Sequence, residues 1–180
     1  MRLCKIMICC LLLLAVSRPL QAQAKGGQDV SESLRGFVQE FYDWYLPMAL
    51  KNTPVPAWDL ALESKSSVFD PQLARVLRED SAAEAKTAGD IVGLDFDPFL
   101  CSQDPGERYE VGRISQKGEK YWVEIYGVWS GKKGEKPAVV PELRQKDGSW
   151  LFVNFHYPED RDLLTDLKLL REDRRKASKP

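Results

Sequence analysis

Cysteine is scarce in this sequence and histidine scarcer, and no apolar run is long enough to cross a bilayer with margin. Of four cysteines, Cys4, Cys9 and Cys10 fall in the first ten residues, which leaves Cys101 as the one thiol in the body of the chain. A single thiol there forms no intramolecular disulfide, and it is more often a small buried hydrophobe than a nucleophile. His156 is the one histidine. Charge of one sign is lacking too: 26 Lys and Arg face 27 Asp and Glu, a formal net charge of −1. That excludes the basic excess of a nucleic-acid binder. No internal repeat and no catalytic motif stand out. What is present is ordinary: 180 residues, 43% hydrophobic and 29% charged, fit one globular domain with short extras.

The extras lie at the ends. Arg2 and Lys5 precede an apolar run from Ile6 to Val16, and Ala22-Gln23-Ala24 reads as a small-x-small cleavage site. Together they predict a cleavable signal peptide over residues 1–24, a mature chain starting at Lys25, and a periplasmic or secreted protein. An uncleaved anchor is the competing reading, and the short run argues against it. Cys9 and Cys10 sit inside the run and not after it, which argues against a lipoprotein. Removing residues 1–24 takes away Arg2, Lys5, Arg18 and no acid, so 23 basic side chains face 27 acidic ones and the net charge becomes −4. The mature chain, with no transmembrane segment of its own, is mildly acidic, which argues against a nucleic-acid or anionic-membrane surface.

Residues 25–171 read as one α+β domain, and 172–180 as a charged tail with nothing apolar to bury. Asp29 and Glu32 form a capping-box-like start. Leu34, Phe37, Val38, Phe41, Trp44, Tyr45 and Met48 then recur at helical spacing, with Pro47 expected to kink or end the helix. Trp58 to Leu62 suggest a short second helix. Asp70-Pro71 opens a third, which buries Leu73, Val76 and Leu77 and ends at Gly89. After residue 106 the period falls from about four to two. Strands are expected around Tyr109–Ile114, Tyr121–Trp129, Pro137–Lys146 and Ser149–Tyr157, as an antiparallel meander. The prolines of the third strand place it at an edge or a bulge. Asp147-Gly148 is a strong two-residue turn, and a last helix spans Asp162–Arg171.

Between the helices and the strands lies a loop with two Asp-Pro pairs. Asp95, Asp97, Pro98, Phe99, Gln103 and Asp104 are expected to form a structural corner there. Asp97 would accept backbone hydrogen bonds, and Phe99 and Leu100 would drop into the core. The carboxylates also invite a calcium reading. Their spacing fits no EF-hand loop, so no metal is assigned.

Three motifs occur in order: Phe41-Tyr42-Asp43-Trp44-Tyr45-Leu46, then Asp97-Pro98-Phe99 with Gln103-Asp104, then Asp147-Gly148 followed by Trp150. In these the mature chain resembles the bacterial domain-of-unknown-function family numbered 3828. That resemblance implies a nuclear-transport-factor-2-like (cystatin-like) cone, in which helices pack into the concave side of a strongly bent antiparallel sheet. It also implies an exported protein. It transfers no catalytic residue, since no shared activity is established for the family.

The same fold hosts ketosteroid isomerase and limonene epoxide hydrolase, which set polar residues at the base of an apolar cone, an analogy of fold alone. A two-residue turn at Asp147-Gly148 pairs Gln145 with Trp150. It then puts Trp150, Phe152, Asn154 and His156 on one face with Val139 and Leu143, a candidate ligand pocket. Asp43 would orient the imidazole, and Trp44 and Tyr45 would complete the wall. A bulge between Phe152 and Phe155 would instead turn His156 outward. The reading favoured by these residues is a non-catalytic binding or accessory module of the bacterial cell envelope. It would take an envelope protein or a small apolar ligand and no cofactor. The alternative is a small hydrolase or isomerase acting on an apolar substrate in the cone.

Overall fold

The aromatic stripe of the first helix is the surface on which the other elements pack. In the computed structural model, which describes residues 21–51, 53–87 and 92–177, α1 runs Gln21–Ala49. The first twenty residues of the expected leader, and the expected helix stop at Gly89, lie outside the described residues. Because α1 starts upstream of Asp29, that residue does not begin it. Pro47 does not end α1 either. It lies on the exposed side, and the next turn closes normally with Leu50 N–H donating to Leu46 O at 3.0 Å.

α2 (Ala57–Ser64) leads through a 3₁₀ turn (Ser66–Val68) to α3 (Pro71–Glu84). Asp70 caps α3 as expected: its carboxylate accepts from Gln72 N–H at 2.8 Å, with Pro71 at the first helical position. α3 buries Leu73, Ala74 and Leu77, and with them Asp80.

The strands are β1 (Arg108–Lys117), β2 (Lys120–Trp129), β3 (Lys132–Lys133), β4 (Val140–Lys146), β5 (Ser149–Tyr157) and β6 (Arg161–Asp162). Their order is β1-β2-β4-β5-β6, with β3 paired to β2, and every pairing is antiparallel. The four long strands are the expected meander. Gln145 pairs with Trp150 and Lys146 with Ser149. Asp147 (φ 51°) and Gly148 (φ 79°) between them hold the doubly left-handed turn that an Asp-Gly pair favours.

Of the two placements expected for β4, an edge or a bulge, the edge is corrected: it is an inner strand between β2 and β5, and its register with β5 shifts between Glu142 and Leu143, close to Pro141. Pro141 is accommodated because the β2–β4 ladder spans only Lys120–Trp122 against Glu142–Arg144. Its missing N–H therefore falls where no partner is required. A close approach occurs at Gly127, where a Cβ would stand 2.3 Å from the ring of Trp129. Glycine lets that ring lie flat against the strand.

α4 runs Leu163–Ala177 and so takes in residues 172–177 of the charged tail. Its N-terminus is capped by Asp162, which accepts from Thr165 N–H at 3.1 Å. Arg174, within the charged stretch, reaches back across the fold to the buried Asp80 at 2.6 Å. Among the described residues four helices and one antiparallel sheet make this an α+β fold. Among the described residues no helix is long and apolar enough to cross a membrane.

Candidate functional site

Only half of the predicted pocket wall faces the interior. Trp150 and Phe152 are buried, and Trp150 Nε1–H donates to Ser33 Oγ on α1 at 3.2 Å. The register then shifts: Leu143 pairs with Phe152, but Glu142 pairs with Asn154, so Val153 is an extra residue on β5. This is the bulge weighed above, and it changes which side chains point inward. Phe155 enters the core beside Phe152, with ring centroids 5.4 Å apart. Asn154 and His156 turn to the other face.

The space between α1 and the sheet is filled by rings. Phe41 stacks on Tyr45 at 5.5 Å and meets Phe152 at 4.7 Å and Phe99 at 5.8 Å. Phe99 in turn lies 4.8 Å from Phe155. Each fully buried phenylalanine contributes about 1.5–3 kcal/mol by removal from water alone.

His156 has a different set of neighbours from the one expected. Asp43 is exposed on α1 and accepts from Gln39 Nε2 at 2.9 Å, so it does not orient the imidazole. Glu142 does: its Oε2 lies 2.8 Å from His156 Nε2, and its Oε1 lies 2.6 Å from Lys120 Nζ. Trp122 Nε1 also stands 3.3 Å from the same imidazole nitrogen. One nitrogen cannot accept from the indole and donate to the carboxylate at once. The shorter contact to the charged partner assigns the proton to Nε2. Asn154 Nδ2 donates to Asp162 at 2.8 Å and helps hold the start of α4. Sequence reasoning missed Glu142, Lys120 and Trp122. Their signal was the alternation that sets residues 120 and 122 on the face opposite Tyr121 and Val123.

Tyr45 and the central loop form a second constellation. Asp97 Oδ1 accepts from Phe99 N–H at 2.9 Å and Leu100 N–H at 3.1 Å, while Oδ2 accepts from Tyr45 O–H at 2.6 Å. The corner is pinned twice more, by Tyr42 O–H on Phe99 O and Tyr157 O–H on Pro98 O, both at 2.9 Å. Phe99 and Leu100 are fully buried. Burial pushes the Asp97 carboxyl up to about 6, even though the bonds from Tyr45, Phe99 and Leu100 act to lower it. Burial also pushes the Cys101 thiol up, the opposite of what a nucleophile needs. Gln103 Nε2 donates to Asp95 O at 2.7 Å, and Asp104 N–H to Ser102 Oγ at 3.0 Å. Both are loop-closing bonds. Trp44 is half-buried with Lys65 Nζ 4.8 Å from its ring centre. Among the described residues no group of three or more His, Cys, Asp or Glu is placed to hold a metal ion.

Asp97 also borders an open groove of about 550 Å³. On one side it is lined by the end of α1 with Lys51 and residues 53–56, and on the other by residues of the loop from Leu94 to Pro105. Trp58 from α2 and Glu84 from α3 also line it. The lining residues come from three parts of the chain, 49–58, 84 and 94–105, so no local pattern announced the groove.

No known protein-family profile matches the chain, and no curated protein is similar to it. A solved structure shares the fold: a protein of unknown function from Bacteroides thetaiotaomicron superposes with a TM-score of 0.53 at 16% identity. The match covers 76% of this chain and 98% of that one.

Proposed function

We propose that this chain is an exported, non-catalytic binding or accessory module of the bacterial cell envelope. In this reading it has a nuclear-transport-factor-2-like cone and is a member of the family numbered 3828. The observation that carries the proposal is the filling of the space between α1 and the sheet. Phe41, Phe99, Phe152 and Phe155 occupy the volume that a catalytic cone would leave for substrate, and all four are at least 96% buried. The open surface lies instead at the groove beside the central loop. A hydrolase or isomerase remains the second reading. It draws on the 2.8 Å contact between His156 and Glu142, which lies on the opposite face from the rings.

Two experiments test the proposal. A screen with esters, epoxides and ketosteroids is expected to give no turnover above background, and a reproducible activity lost in His156→Ala would overturn the non-catalytic reading. Intact-mass analysis of protein exported by a bacterial host is expected to show a chain starting at Lys25. A mass that retains the leader or carries a lipid would overturn the export reading.

A further inference from the structure

Of the four large apolar side chains that stand exposed among the described residues, one is aromatic: Trp129, at 40%. It ends β2, and it rests on backbone. A Cβ at Gly127 would stand 2.3 Å from the indole, one at Gly106 3.1 Å and one at Gly134 4.0 Å. The three glycines belong to one stretch of hydrogen-bonded backbone. Gly134 N–H donates to Gly127 O at 2.9 Å, and Glu107 N–H, next to Gly106, donates to Val128 O at 2.8 Å. They therefore support the ring from one side, and its opposite face meets the water. Glycine weakens a strand and marks places where something approaches the backbone closely. A single exposed apolar side chain needs no explanation; three glycines laid beneath one do.

The ring is also held in place. Trp129 Nε1–H donates to Asp104 O at 3.4 Å, and Tyr109 meets the indole edge-on with ring centroids 6.2 Å apart. The turn that follows is tied down by Glu107, whose carboxylate accepts from Ser130 N–H at 3.1 Å and Gly131 N–H at 3.2 Å. The surroundings are polar. Residues 130–136 carry no apolar side chain, and residues 102–108 carry only Pro105. Lys132 pairs with Trp129 across β2 and β3 and so shares its face. Asp104 and Lys132 are both exposed, and among the described residues neither the carboxylate nor the ammonium has a hydrogen bond or ion pair. The result is one rigid, flat apolar face with free hydrogen-bonding groups at its rim.

We propose that Trp129 is a stacking platform for a pyranose ring of a β-linked glycan. The proposal rests on the reading of the chain as a binding module and names the class of its ligand. A glucose-type ring carries axial C–H groups on its faces and hydroxyls around its edge. The C–H face covers the exposed indole, while hydroxyls donate to the Asp104 carboxylate and accept from the Lys132 ammonium. An apolar peptide would find a single ring with no apolar neighbours to complete a pocket. A nucleobase would stack equally well. Its phosphates, however, would meet Asp104 and Glu107 beside Lys132, with no basic excess to hold them.

The test titrates cellotetraose into the exported full chain and follows the indole N–H resonances by NMR, with Trp129→Phe identifying the one that belongs to Trp129. Single-stranded oligoadenylate is titrated in parallel. Trp129→Ala and Asp104→Ala are measured by calorimetry after thermal unfolding has confirmed that each folds. The tetrasaccharide is expected to shift the Trp129 resonance with a Kd in the millimolar range or tighter. Kd should rise at least tenfold in Trp129→Ala and about three- to tenfold in Asp104→Ala, the worth of one hydrogen bond. If Trp129→Ala does not fold, the wild-type resonance and Asp104→Ala decide the matter. An unmoved Trp129 resonance at saturating sugar would overturn the proposal, as would shifts confined to other indoles or a Kd unchanged in the folded variants. Tighter binding of oligoadenylate would assign the platform to nucleobases and overturn it too, and a shift with protein concentration alone would assign it to a second copy of the chain. Recovery of shorter sugars from the mixture would remove the non-catalytic reading and leave the platform standing. Intact sugar with no shift would remove this inference alone.

Discussion

The Tyr45 hydroxyl donates to Asp97 Oδ2 at 2.6 Å, tying the last third of α1 to the loop that carries the chain from helices to sheet. Two substitutions separate the parts of this tie. Tyr45→Phe removes one donor and is expected to cost about 1–3 kcal/mol, because the carboxylate loses a partner where water is scarce. Asp97→Ala also strands Phe99 N–H and Leu100 N–H and is expected to cost at least as much. Urea unfolding checks both, run with calcium and again with chelator. Neither cost should depend on calcium. Strong destabilisation of the wild type by chelator, with Asp97→Ala unaffected, would make the loop a metal site.

The same carboxyl predicts a pH dependence. Its folded-state value, pushed up to about 6 from an ordinary 3.8, lies above the unfolded one. Between those pH values the folded chain holds a proton that the unfolded chain releases. Stability from this group therefore rises as pH falls from about 6 to about 4, by on the order of 1–3 kcal/mol. Other acids titrate in that range, so the informative quantity is the difference between wild type and Asp97→Asn. That difference should move in favour of the wild type from pH 7 to pH 4. Movement the other way would mean that the three hydrogen bonds to the carboxylate outweigh its burial.

Core and surface apolar residues should separate sharply. Phe99 is fully buried among Phe41, Phe69 and Phe155, and Phe99→Ala is expected to cost about 3–5 kcal/mol. Leu50 is exposed, and Leu50→Ala should fall within about 0.5 kcal/mol of wild type. Chemical denaturation of both variants decides it. A Phe99→Ala cost near zero would contradict the ring packing.

The end of α4 gives a further test. Asp80 is 3% exposed and its carboxylate contacts Arg174 at 2.6 Å and Leu94 N–H at 2.9 Å. Arg174→Ala leaves a buried carboxylate without its cation and is expected to cost about 3–5 kcal/mol. Truncation after Arg171 should cost a similar amount. A truncated chain as stable as the full one would restore the reading of these residues as an idle tail.

Local chemistry carried much of the fold into view. The helical period of Phe41 and Tyr45, the proline after the Asp70 cap and the Asp147-Gly148 turn each act within a few residues, and the sequence spells them out. The corner at Asp97 was readable for the same reason, since Pro98 restricts it and the N–H groups that donate to it lie two and three residues away. The misreadings share a cause of longer range. A single extra residue at Val153 reverses the facing of His156, and nothing adjacent to Val153 encodes the choice. The helical order of residues 172–177 accompanies a contact between Asp80 and Arg174, 94 positions apart. The groove requires three separate segments to meet, so its residues were visible one by one and its existence was not.

The pairing of Trp150 with Ser33 spans 117 positions, and Phe41 waits nearly as long for Phe152. During synthesis the aromatic stripe of α1 leaves the ribosome first and its partners on β5 leave among the last. At ordinary elongation rates that interval is on the order of ten seconds. Throughout it the aromatic stripe of α1 lacks the β5 rings that cover it in the fold. Such a nascent chain stays open to whatever binds exposed aromatic helices, and its cooperative folding begins only after nearly the whole polypeptide has been made.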